Sequence, residues 1–314
     1  MTRHSQFFQP LRLVSVALSL CVAFASTLAL AEPADTTSSQ EAPGLSLAVT
    51  PVYQFDSSLN SGGSVSVFHL LFDVNGNKAL SKELGVGFHF AYDYADYHFS
   101  GPTRFGWPNP WDKVHRLEFG GSVSYDLTPE WSLFIAPSLL FSRADDAGWG
   151  NALVYGGVVS ITKDLSKDLT LGLGVGAYSE IEQVTVFPMI VIDWRITDRL
   201  RLANPFRPGP TGPAGLELAY QIGDGWDVGT GAAYRTNRFR LNRTGLFGDS
   251  IGESNAIPAW ARLSRKMGNT FNLDLYAGAM LGGQMSIDNR NGSRLTSASV
   301  DPAPFLALAV SAKF

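Results

Sequence analysis

One cysteine, Cys21, occurs in 314 residues, and it lies in an apolar stretch near the N-terminus. The rest of the chain therefore has no disulfide with which to staple itself. Basic residues are also short. Setting aside Arg3 and Arg12 of the N-terminal stretch, the 24 basic residues fall to 22, against 28 acidic ones, a net charge of −6. A mildly acidic chain is a poor partner for nucleic acid. Beyond residue 31 no apolar run approaches the roughly 18–20 residues of a membrane-spanning helix. Only four histidines remain there, His69, His89, His98 and His115.

The chain begins with an export address. Arg3 and Arg12 form a positive n-region, Leu13–Leu30 is an apolar run, and Ala29-Leu30-Ala31 is an Ala-x-Ala cleavage site before Glu32. This is the pattern of a Sec-type signal peptide, residues 1–31, cleaved after Ala31. Leu20 stands where a lipoprotein needs a small residue ahead of Cys21, so lipid anchoring is set aside. Residues 32–44, with Pro33, Ser38, Ser39 and Pro43, read as a short periplasmic leader, too short for a plug domain. An exported chain without disulfides needs another source of stability, and a closed barrel in lipid supplies one.

From residue 45 onward the chain alternates. In the last stretch Leu306, Leu308, Val310, Ala312 and Phe314 share one parity, and Ala307, Ala309, Ser311 and Lys313 the other. A period of two marks a β-strand with one apolar face. Earlier, Leu84, Val86, Phe88, Phe90, Tyr92 and Tyr94 oppose Gly85, Gly87, His89, Ala91 and Asp93. Segments of about ten residues are twice the ~5–6 of soluble strands and match the ~9–11 that a tilted strand needs to cross a bilayer. Fourteen such segments can be marked. Leu200–Asn204 and Ile257–Leu263 are the weakest, so twelve is the alternative. Asn75-Gly76-Asn77 reads as the turn that ends the second. The expected fold is all-β: a single transmembrane antiparallel up-and-down barrel of the outer-membrane type, residues 45–314, with about 14 strands. Its 32 glycines and 12% aromatics suit that architecture.

Three patterns separate this from a soluble sandwich. Tight connections such as Thr128–Glu130 and Gly223–Gly225 alternate with longer ones, Phe99–Asp112, Ala203–Ala214, Thr236–Ala256 and Met285–Asp301. Short turns on one rim and long loops on the other are the outer-membrane arrangement. Charges within strands, namely Arg116, Glu118, Asp193, Arg195, Glu217, Arg262 and Asp274, keep to the parity opposite the apolar face, so they are expected to line a wet lumen. Tyr125, Trp131, Trp194, Trp226 and Phe271 beside the tight turns, with Trp107 and Trp111 in a long loop, suggest girdles at both interfaces.

Asn237-Arg238-Phe239-Arg240-Leu241, Ile257-Pro258-Ala259-Trp260-Ala261-Arg262-Leu263, Leu273-Asp274-Leu275-Tyr276-Ala277-Gly278 and Asp301-Pro302-Ala303-Pro304-Phe305 carry a resemblance. With them the chain resembles an uncharacterised (domain-of-unknown-function) family of proteobacterial outer-membrane β-barrel proteins. That resemblance implies the fold and the outer membrane of a Gram-negative cell, and it brings no catalytic residue. The ending on Phe314 resembles the C-terminal signature read by the barrel-assembly machinery. Fatty-acid and aromatic-hydrocarbon channels also have fourteen strands, but they carry an N-terminal hatch for which the leader here is too short.

Little chemistry is legible. Asp73-Val74-Asn75-Gly76-Asn77 fails as a calcium loop, because its glycine is fourth and position twelve is Leu84. Gly172, Gly174 and Gly176 precede no helix, so they are not a dinucleotide motif; they thin the lumen wall or let something pack on it. Neither a metal nor a cofactor is expected. The one catalytic candidate is His98, near Asp96 and Ser100 at an outer strand end, where a hydrolase of lipid or lipopolysaccharide would work. Arg235, Arg238, Arg240 and Arg243 read as a cationic patch at the outer mouth, facing lipopolysaccharide or anionic solutes. Phe134, Leu140, Phe187, Met189 and Val191 give the lumen an apolar share. A passive channel for small solutes leads, with a rim hydrolase and a non-conducting surface barrel as alternatives. Deleting Phe314 is expected to reduce membrane insertion without changing the molecules that do fold; unchanged membrane levels of the deletion would refute its assembly role.

Overall fold

The computed structural model describes residues 44–105, 109–205, 209–211 and 214–314. The expected signal peptide with its cleavage at Ala31, residues 32–43 of the expected leader and Trp107 lie outside these residues, and Gly44, the leader's last residue, already belongs to the first strand. Sixteen strands follow in chain order: β1 Gly44–Ser58, β2 Ser64–Ala79, β3 Leu84–Ser100, β4 Lys113–Asp126, β5 Trp131–Ala144, β6 Leu153–Ser166, β7 Leu169–Glu180 and β8 Gln183–Arg195. Then come β9 Leu200–Ala203, β10 Gly215–Gly223, β11 Trp226–Ala233, β12 Arg235–Arg240, β13 Ile251–Met267, β14 Phe271–Asp288, β15 Arg294–Val300 and β16 Ala303–Lys313.

Each strand from β1 to β11 pairs with the next, β11 pairs with β13, β13 with β14, β14 with β16, and β16 with β1. Fourteen strands thus form a closed antiparallel ring, the number marked from parity. Closure matters because lipid offers no partner to a backbone N–H or C=O. The last rung joins the ends: Leu45 and Phe314 exchange backbone hydrogen bonds of 3.0 and 2.8 Å. Large apolar residues such as Leu139, Leu275 and Leu306 are exposed on the outer face, while Ala307, Ala309, Tyr276 and Trp260 of the opposite parity are buried inside. Tyr125, Trp131, Trp194 and Trp226 are exposed at the short-turn rim. Arg265 lies 4.8 Å over the Trp226 ring and Lys163 5.1 Å over Trp131, cations held on aromatic faces at the interface.

Three expectations are corrected. Asn75-Gly76-Asn77 is no turn. β1 and β3 both keep their ladders on it, Asn77 pairing with Gly44 and Gly87, and two continuous ladders outweigh local turn preference. Residues 80–83 make the turn instead. Trp111 is no girdle residue, being 2% exposed in an apolar cluster with Tyr97, Phe99, Phe105 and Phe239. The long connection 236–256 is mostly strand. β12 continues β11 and pairs with the upper part of β13, Arg238 opposite Glu253. Between Asn255 and Ile257 the β13–β14 register shifts, and Gly282 sits there at φ 58°. A bulge bends a strand pair, and here the bent hairpin carries β12 to the far wall, where Arg240 bridges to Arg143 of β5. β15 pairs with the upper part of β14, and Val300 bridges to Leu59 beyond β1.

An arginine at position 275, outward-facing on a fully paired strand, is expected to destabilise the barrel by about 2–4 kcal/mol. Urea unfolding of Leu275→Arg and Leu275→Ala in lipid vesicles measures this, and equal midpoints would reverse the assignment of the two faces.

Candidate functional site

Among the described residues the inner face of the barrel wall combines charge, shelter and volume. Arg116 and Glu118 on β4, Asp193 and Arg195 on β8, Glu217 on β10, Arg262 on β13 and Asp274 on β14 all carry the inward parity, as the ladder registers require. Glu118 lines the cavity described below; the other six fall into three groups.

The first group is centred on Arg262, whose side chain is fully buried. Its guanidinium meets Glu217 at 2.8 Å, Asp227 at 2.7 Å and Asp274 at 3.1 Å. Trp260 Nε1 donates to Glu217 at 2.9 Å, and Asn272 Nδ2 donates to Asp274 at 2.6 Å. Opposite, β11 presents Gly229 and Gly231. A Cβ on Gly231 would strike the Leu216 carbonyl and the Trp260 ring, so glycine there makes room for the cluster.

The second group lies toward the long-loop end. Asp93 is 3.0 Å from His69 Nδ1 and 3.5 Å from Arg235. Arg116 donates to Asn237 Oδ1 of β12. The third group is at the short-turn rim, where Arg201 holds Asp193 at 2.5 Å and Arg195 lies 3.7 Å from Asp168, all four part-exposed to solvent.

The outer-mouth basic patch is corrected in the same way. Arg243 is exposed, but Arg238 and Arg240 are buried and Arg235 is largely so. Arg238 Nε donates to the Ile181 carbonyl at 2.8 Å and pairs with Glu253 and Asp288, both at 2.7 Å. Arg240 donates to the Asn151 and Asp249 carbonyls at 3.0 Å. A buried guanidinium needs hydrogen-bond partners, and those of Arg238 Nε and Nη1 and of Arg240 come from loops and strands around the mouth. The arginines therefore hold β12 across the opening and do not face an outside anion. Phe239, between them, packs on Tyr97 and Trp111 with ring centroids 6.3 and 5.5 Å away.

Beneath this closure is a cavity of about 910 Å³, lined by residues from β1 to β8 and reaching Gly44 and Lys313 at the short-turn rim. Its wall includes Glu118, His89, Phe134, Tyr178, Met189 and Val191. His89 Nδ1 lies 2.7 Å from Asn75 Oδ1. The glycines of β7 accept packing: a Cβ on Gly176 would meet the Phe187 ring, and one on Gly174 would meet Met189 at 2.9 Å.

His98 is exposed on the outward parity of β3, opposite Ser66, and Asp96 accepts a long hydrogen bond of 3.5 Å from Tyr94. A different outward network escaped the sequence reading: His115 lies 2.7 Å from Tyr92 Oη and 2.6 Å from Asp145. Asp145 is a loop residue, so parity gave no reason to join it to β4. Asn204 was also missed, and its side chain bonds two strands at once.

A closed ring with an apolar outer band and a charged interior defines a β-barrel of the outer-membrane type. The chain belongs to the family described as "Domain of unknown function (DUF6268)", whose model matches residues 111–313. No curated protein matches it. Among solved structures, the COG4313 outer membrane channel of Pseudomonas putida F1 is 10% identical, covering 91% of this chain and 100% of that one at a TM-score of 0.50. The Pseudomonas putida toluene transporter TodX is 11% identical over 88% and 90% of the chains at 0.42. The translocator domain of the autotransporter NalP from Neisseria meningitidis is 9% identical over 96% of each at 0.38. At these identities the likeness concerns fold.

Replacing Arg262 by methionine is expected to destabilise the barrel by about 3–5 kcal/mol, because three carboxylates lose their shared cation in a buried site. Chemical unfolding in vesicles checks this. A variant that also carries Glu217→Gln, Asp227→Asn and Asp274→Asn is expected to recover part of the loss.

Proposed function

We propose that the protein is an outer-membrane channel for small solutes, exported by the Sec route and gated at its outer mouth by β12. The cavity of about 910 Å³ under a mouth fastened by side chains carries this reading. A barrel built only as a scaffold could fill its lumen throughout, as the Arg262 side does. The fastening is polar, so water can compete for each bond once β12 lifts. Outer-membrane lipid, lipopolysaccharide and the assembly machinery are the partners this location supplies.

Closure of the mouth by the apolar cluster around Trp111 favours a second reading, a barrel that does not conduct. The hydrolase reading gains no geometric support, since His98 stands exposed on the outer face.

Planar-bilayer recording separates the first two. The wild type is expected to show small, infrequent openings. Arg238→Ala frees Glu253 and Asp288 from one clamp and is expected to raise mean conductance several-fold. Silence in both proteins at every voltage would establish the second reading.

A further inference from the structure

The two sides of the lumen treat aromatic rings differently. On the packed side Trp260, Tyr276 and Phe305 are 3%, 0% and 1% exposed, whereas Phe134, also of inward parity, is 39% exposed and stands open to the cavity. Tyr178 lines the same cavity, its ring parallel to that of Phe187 with centroids 6.2 Å apart. Met189 and Val191 carry the apolar wall on toward the short-turn rim. Rings left open in a cavity of about 910 Å³ offer faces to a solute that has an apolar or aromatic body.

Charge is as unevenly placed. Two wall residues of the cavity are charged at neutral pH, Glu118 and Lys313. Lys313 is on β16, four strands round the ring from the β4 of Glu118. One rung of the ladders sets Glu118 opposite Ala91, and Ala91 opposite Asp73. Neighbouring strands are ~4.8 Å apart, so the two carboxylates flank the short alanine from positions roughly 10 Å from each other. Neither carboxylate makes a hydrogen bond or ion pair among the described residues. The charged or ionisable groups around Asp73 are His89, Asp93, Arg235 and Glu118, and those around Asp93 include His69, Arg235 and Arg116. Arg235 is paired with Asp93, and Arg116 donates to Asn237. Three carboxylates, Asp73, Asp93 and Glu118, thus share two guanidiniums. With the histidines neutral the group has a net charge of −1. A sheltered carboxylate is stabilised by a cation close to it, and the face of an aromatic ring attracts the same kind of ion.

We infer that the cavity is a binding site for a small organic monocation, with its ammonium group between Glu118 and Asp73 and its ring or alkyl body against Tyr178 and the apolar wall. This rests on the channel reading and names its solute class. An anion would meet two carboxylates whose charge is not cancelled. A neutral aromatic compound would cover Glu118 without answering its charge, which is costly.

Calorimetric titration of the refolded full chain in neutral detergent tests this with benzylammonium, benzyl alcohol, benzoate and methylammonium. Benzylammonium is expected to bind at one site, several-fold more tightly than benzyl alcohol or methylammonium, and benzoate not to bind. Glu118→Gln and Asp73→Asn should each bring benzylammonium down to the level of benzyl alcohol, and Glu118→Asp should keep the preference. Neither carboxylate is bonded within the wall, so these variants should fold as the wild type does. The site is overturned if benzylammonium shows no saturable binding, if benzyl alcohol or methylammonium binds as tightly, or if Glu118→Gln leaves the preference intact. Planar-bilayer conductance of the same samples reports separately on the channel reading. Current without the preference overturns the site and spares the channel, and the preference without current upholds the site in a barrel that does not conduct.

Discussion

Every part of this molecule answers to one constraint: a backbone amide or carbonyl in lipid has no partner unless another strand provides it. That requirement closes fourteen strands into a ring and joins Leu45 to Phe314. It also gives meaning to Asn204, whose side chain bonds Ile192, Ile190 and Gly215 where β9 ends.

The interior solves the opposite problem. Charges taken from water need partners close by, and the arginines inside obtain them from several strands each. Arg262 ties β10, β11 and β14 to β13 through three carboxylates. Arg238 and Arg240 tie β12 to loops on the opposite side of the mouth. One side of the lumen is thereby filled, and the other holds a cavity whose wall mixes Glu118 and His89 with Phe134, Met189 and Val191, so the barrel is neither a uniform water pore nor a solid core.

Parity in the sequence records the contrast between lipid and lumen, and it was reliable wherever that contrast exists. It marks the fourteen ring strands, including short β9, and it puts Glu217, Arg262 and Asp274 on the inner face. Above the membrane both faces of a strand meet protein or water, and the record vanishes. Arg235–Arg240 and Arg294–Val300 were therefore not seen as strands. The fate of Arg238 depends on Glu253, Asp288 and the Ile181 carbonyl, which no local pattern connects to it. Trp111 shows the same limit, since an aromatic ring in a loop reads alike whether it lies at an interface or under β12. At Asn75-Gly76-Asn77 a local turn signal was present but weaker than two flanking ladders.

The anchors of β12 set an order of events in assembly. Its carbonyl partners, Ile181 and Asn151, sit on hairpins of the far wall, and these reach their places only when the strands from β5 to β8 stand in a curved sheet. The mouth can therefore shut only after the ring has begun to round on itself. A barrel arrested before that stage would leave Phe239 and Trp111 in water, with Arg238 and Arg240 lacking the Ile181 and Asn151 carbonyls, and such an intermediate would be open, sticky and readily cleaved. Closing the mouth is in this sense the last check that the wall was built in register.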